Sequence, residues 1–168
     1  MEFYQAFLTG LLGEPQNLYQ DFRETTFCTQ PGDIGAADEP GQAYGVLADV
    51  HNQTAVYSLA CFRNGVTSVY FKSGGSMDNV GRQHPAVADA AQALLAQAGD
   101  LLDQTEKTDE LPELPPPGTM RTFVLMPNGI FSQTFVLGQA TEDDTALGQL
   151  TQETLAAIWR TITPGEQS

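Results

Sequence analysis

The chain has 168 residues, 41% of them hydrophobic, which is enough length and apolar content for one globular domain and argues against global disorder. Its 7 Lys and Arg face 21 Asp and Glu, a formal net charge of −14. Such a field repels a phosphate backbone and an anionic membrane surface, so neither nucleic acid nor membrane is an expected partner, whereas a basic protein is.

No apolar run has the length that crosses a bilayer. The start, Met1-Glu2, has no Lys or Arg before Phe3, Phe7, Leu8 and Leu11, so it does not read as a secretion signal, and a cytoplasmic location is expected. Those residues with Leu12 instead form one helical stripe over 2–12, ended by Gly13. Pro15 suits a first helical position, and Leu18, Tyr19 and Phe22 predict a second, short helix. Residues 30–42 are rich in Gly, Pro and Ala and read as a loop, which separates a helical N-terminal arm (1–42) from an α+β core (43–168). Two cysteines, Cys28 and Cys61, are too few for a disulfide scaffold, and Cys61 falls in an apolar strand pattern as a small buried hydrophobe.

Residues 43–50, 54–63 and 66–72 read as three strands. Asn64-Gly65 between the last two is a type I′ hairpin signal, which sets Phe62 opposite Thr67, Ala60 opposite Val69 and Leu59 opposite Tyr70. A Gly-rich loop over 73–83 follows. His84-Pro85 then opens a helix over 85–104 with the stripe Val87, Ala91, Leu94, Leu95, Ala98, Leu101 and Leu102. Pro112, Pro115, Pro116 and Pro117 make 105–118 a stiff, extended connector, and Pro112-Glu113-Leu114-Pro115 matches a bare PxxP pattern. Strands over 120–126 and 130–137 are joined through Pro127-Asn128-Gly129. An acidic loop leads to a final amphipathic helix over 145–162, stopped by Pro164-Gly165.

The order helices-βββ-α-ββ-α predicts one α+β domain over 1–168. Its expected architecture is a single, mostly antiparallel five-stranded sheet with helices packed on it, profilin-like or longin-like in general look. Strand 66–71 is expected inside that sheet, with the Pro85 helix across it. A likeness at the level of fold does not fix function.

The loop and helix start from Ser73 to His84 are where a ligand site is expected. The loop lacks the Gly-x-x-x-x-Gly-Lys-[Ser/Thr] phosphate pattern and the Gly-x-Gly-x-x-Gly dinucleotide pattern. Gly74, Gly75, Arg82 and His84 still offer a flexible loop and positive charge at a helix N-terminus, the elements of an anion site. Asp78 and Asp89 oppose that reading, and the glycines equally make a tight loop with His84 merely starting the helix. Asp49 and His51 would form an acid–base or metal site with His84 only if the fold joined them. No metal-ligand spacing, nucleophile–base pair or cofactor fingerprint is present, so no metal, catalytic residue or cofactor is expected.

The string Ser68-Val69-Tyr70-Phe71-Lys72-Ser73-Gly74-Gly75, then His84-Pro85-Ala86-Val87, a Pro-rich connector and Arg121-Thr122-Phe123-Val124-Leu125, resembles a family of small uncharacterised bacterial proteins with a strand, an S-G-G loop and a His-opened Ala-rich helix. The resemblance spans roughly 44–137 and implies no activity. The expectation is a non-catalytic binding or regulatory domain acting through protein–protein contacts. The alternative is a small-molecule anion binder or enzyme using the loop at 73–84.

Overall fold

A computed structural model describes residues 15–36, 39–103, 105–138 and 146–162, so the stripe at 2–12, most of the acidic loop and Pro164-Gly165 lie outside the described residues. In chain order the elements are α1 (Pro15–Cys28), a 3-10 turn (Pro31–Ile34), β1 (Gly45–His51), β2 (Val56–Phe62), β3 (Thr67–Phe71), β4 (Ser76–Met77), α2 (Val80–Gln83), α3 (Pro85–Ala98), β5 (Glu106–Lys107), β6 (Thr119–Met126), β7 (Gly129–Val136) and α4 (Ala146–Ile162). They form an α+β fold around one antiparallel sheet in the order β4-β3-β2-β1-β6-β7-β5.

The sheet therefore has seven strands, not the expected five. The two extra strands are two residues each. Ser76–Met77 folds back on β3, and Glu106–Lys107 pairs with β7 at Ser132 and Phe131. Two residues cannot display an alternation, so periodicity reads them as loop and connector. Capping by β4 leaves β3 inside the sheet, as expected.

The β2–β3 register also differs from expectation. Gly65 N–H donates to Phe62 O (2.9 Å) and Phe62 N–H to Val66 O (2.9 Å), which closes a three-residue loop with Gly65 at φ +99°. That is a type I turn followed by a bulge, and only the glycine takes positive φ. Leu59 then pairs with Val69 and Ala60 with Ser68, one residue away from the I′ register. The shift puts Leu59, Cys61 and Val69 on one sheet face, in one buried core. At the other hairpin Pro127 and Asn128 form the loop, and Met126 faces Gly129.

Strand alternation divides the interior. One face carries Val46, Ala48, Val50, Leu59, Cys61, Val69, Met120 and Val124. It is covered by Val87, Ala91, Leu94 and Leu95 of α3 and by Leu147, Leu155 and Ile158 of α4. Helix α3 stops at Ala98, short of the expected 104, and Leu101 and Leu102 follow it half-buried against the same core. The opposite face carries Leu47, Asp49, Ser58, Ala60, Phe62, Phe123 and Leu125 and is covered by α1 and the connector. Phe27 of α1 meets Phe123 edge-on at 5.8 Å, and Phe22 stacks on Tyr70 at 3.9 Å. Helix α1 is longer than a short helix because its buried side continues through Tyr19, Arg23, Thr26 and Phe27, at helical spacing but with a charge in the stripe.

The Pro-rich connector belongs to this second layer. Pro115 is buried, Leu111 packs on Phe27, Leu47 and Phe123, and connector carbonyls accept bonds from Arg23, Arg121 and His51. Arg23 Nη2 donates to Pro112 O (2.9 Å), Arg121 Nη1 to Glu113 O (3.1 Å) and His51 Nδ1 to Pro115 O (2.9 Å). No helix among the described residues is long and apolar enough to cross a membrane.

Candidate functional site

Four side chains on three elements make a buried polar network between α1 and the sheet. Arg23 grips Asp49 through Nη2 (2.8 Å) and Nε (3.2 Å), and both residues are closed to solvent. Ser58 donates to Asp49 Oδ1 at 2.5 Å; its single proton is then used, so Tyr19 is the donor in the 2.7 Å bond to Ser58 Oγ. The guanidinium is completed by Gln20 Oε1 (2.9 Å) and Pro112 O. Burial, then the Asp49 charge, raises the Tyr19 pKa well above its ordinary value, which holds the phenol as a donor. Each group has a protein partner, so this arrangement fastens α1 and the connector to the sheet.

The fold does not join the sequence-predicted site residues in this way. Gly74 (φ +117°) and Gly75 (φ +89°) form the β3–β4 turn, where Gly74 N–H is taken by Phe71 O and Gly75 O accepts from Phe71 N–H. Arg82 is exposed in the one-turn helix α2. His84 lies between α2 and α3 with no side-chain cap bond. At the start of α3, Pro85 has no N–H to give and the Val87 N–H is bonded to His84 O, so few donors are left for an anion. The loop's own polar groups hold its shape: Tyr70 O–H and Ser76 O–H donate to Asp78, and Asn79, at φ 52°, donates its N–H to Ser68 Oγ. Asp49 points beneath α1, His51 is tied to Pro115, and His84 opens a helix on the other sheet face, so these three do not meet. Among the described residues no group of three or more His, Cys, Asp or Glu is placed to hold a metal ion. Cys61 is fully buried, and burial pushes its thiol up to about 12.

Two of the clefts among the described residues bear on the candidate site. One, of about 440 Å³, places Lys72 and Ser73 beside His51, Asn52 and Thr54, so Lys72 faces the end of β1 rather than His84. The other, of about 420 Å³, lies between the connector and the β6–β7 hairpin, where Glu106, Thr108, Pro112, Arg121, Ser132 and Thr134 line it.

No family model, curated protein or solved structure matches the chain. Function rests on the chemistry of its own side chains.

In the second cleft Arg121 is held by two bonds, Nε to Thr134 Oγ1 (3.1 Å) and Nη1 to Glu113 O. Thr108 and Ser132 hydroxyls meet at 2.7 Å. Sequence reasoning singled out none of these residues for chemistry. The signal available was the polar alternation of Ser132 and Thr134 opposite Phe123 and Arg121; nothing local pointed to Glu106, which arrives through β5.

Proposed function

We propose that the chain is a non-catalytic binding domain that works through protein–protein contacts, with its acidic surface receiving a basic partner. The distribution of charge carries this reading. Of the few cations, Arg23 is consumed inside the fold, and Arg63 and Arg121 donate to backbone carbonyls of their own chain. Among the described residues one salt bridge forms, and it is the buried Arg23–Asp49 pair. Asp21 and Glu24 on α1 and Asp109, Glu110 and Glu113 on the connector are all exposed, and both elements cover the same sheet face. Unpaired carboxylates on one side of a domain attract a cationic surface and speed its approach at low salt. The buried polar network supports a binding rather than a catalytic reading, because its members satisfy one another.

Affinity capture from lysate at low and high salt tests the proposal, with a variant carrying Asp109→Asn, Glu110→Gln and Glu113→Gln as control. The expected result is a partner with a basic surface, released by salt and weakened in the variant. A partner whose retention ignores both salt and the substitutions, or no partner at either salt, contradicts it.

A further inference from the structure

The cleft between the connector and the β6–β7 hairpin holds two opposite charges that do not touch. Arg121 lies opposite Thr134 across the β6–β7 ladder, and Glu106 lies opposite Ser132 across the β7–β5 ladder. Ser132 and Thr134 are two residues apart on one strand, so all four residues sit on one sheet face, and the two charged residues flank β7 with backbones about 12 Å apart, from two strand spacings across and two residues along. Both line the same cleft, yet no salt bridge joins them.

The guanidinium is oriented and still has unused donors. Its Nε–H goes to Thr134 Oγ1 and one Nη1–H to Glu113 O, while Nη2 takes part in neither bond. Thr134 accepts from Arg121 and keeps its own proton to donate. An acceptor-rich group placed there meets a held cation and a hydroxyl, the setting in which Arg recognises carboxylates. Glu106 would repel a simple anion but attracts an ammonium. Its exposed carboxylate has no described cation partner. The cleft volume of about 420 Å³ falls within the ~300–1,000 Å³ range of small-molecule sites.

From this pairing we infer a binding site for a small zwitterion of the α-amino acid class, with its carboxylate on Arg121 and Thr134 and its ammonium on Glu106. The site is independent of the proposed protein partner, since it lies in a cleft and needs both signs of charge.

Titration of the isotope-labelled full chain with L-alanine, acetate and methylammonium, followed through the amide signals of Thr108, Ser132 and Thr134, tests it. L-alanine is expected to give saturable shifts centred on those residues, with each half-ligand at least about tenfold weaker. Glu106→Gln removes an exposed charge and leaves the fold intact; it and Arg121→Lys are each expected to weaken L-alanine about tenfold. Acetate binding as tightly as L-alanine, L-alanine affinity unchanged in Glu106→Gln, or no saturable shift with L-alanine or any other L-amino acid would overturn the inference.

Discussion

The two faces of the sheet are closed by different physics. Helices α3 and α4 cover one face with aliphatic side chains from Val87 to Ile158, a seal that depends on area removed from water and tolerates small shifts. On the other, α1 and the connector are fastened by directed bonds: Arg23 to Asp49 and Pro112, Tyr19 to Ser58, His51 to Pro115. Directed bonds fix orientation, and removing one partner leaves the other buried and unsatisfied. Both faces contribute to the stability of the domain. The polar face sets where α1 and the connector sit, and with them the acidic surface and the Arg121 cleft.

Substitutions separate these two modes. Arg23→Ala has the largest expected effect, about 3–5 kcal/mol of unfolding free energy by urea denaturation, because it strands a wholly buried Asp49 carboxylate. Leu95→Ala, which empties a site in the α3 seal, is expected to cost about 2–5 kcal/mol. A loss under about half a kcal/mol would place α3 on the surface.

Alkaline pH comes next. Burial raises the folded-state values of Tyr19, Tyr57 and Tyr70 above 10.0 and that of Cys61 from 9.0 to about 12. Groups raised in this way release protons more readily from the unfolded chain. Stability is therefore full below about pH 9 and falls as pH climbs through the unfolded and toward the folded values. Tyr19→Phe should shallow that fall, as read from urea midpoints across pH. Thr67→Val has the smallest effect and the opposite sign. The Thr67 hydroxyl is buried with no hydrogen-bond partner among the described residues, so its removal should add about 1 kcal/mol.

How legible each feature was follows from the range of the interaction behind it. The five long strands and α3 and α4 announce themselves because each apolar stripe is local. Residue 23 is charged and breaks the α1 stripe; its partners lie 26 and 89 residues away, at Asp49 and Pro112. Asn64-Gly65 correctly marked a hairpin but not its register, since a two-residue and a three-residue loop share that dipeptide and packing of Leu59 against Val69 decided between them. The Gly-rich loop was visible as glycines, but its content as β4 and α2 depends on Ser68, Tyr70 and Asp78 meeting across the turn. Arg121 and Glu106 come together only because a two-residue strand docks on β7.

Arg23 and Asp49 are structural fasteners rather than a site. A double-mutant cycle with Arg23→Met and Asp49→Leu, read by urea unfolding, tests this most directly. The prediction is that each single change is strongly destabilising and that the double variant loses about 3 kcal/mol less than the sum of the two singles. Losses that simply add would show that the pair does not act as a unit and that α1 is held on the sheet by something else.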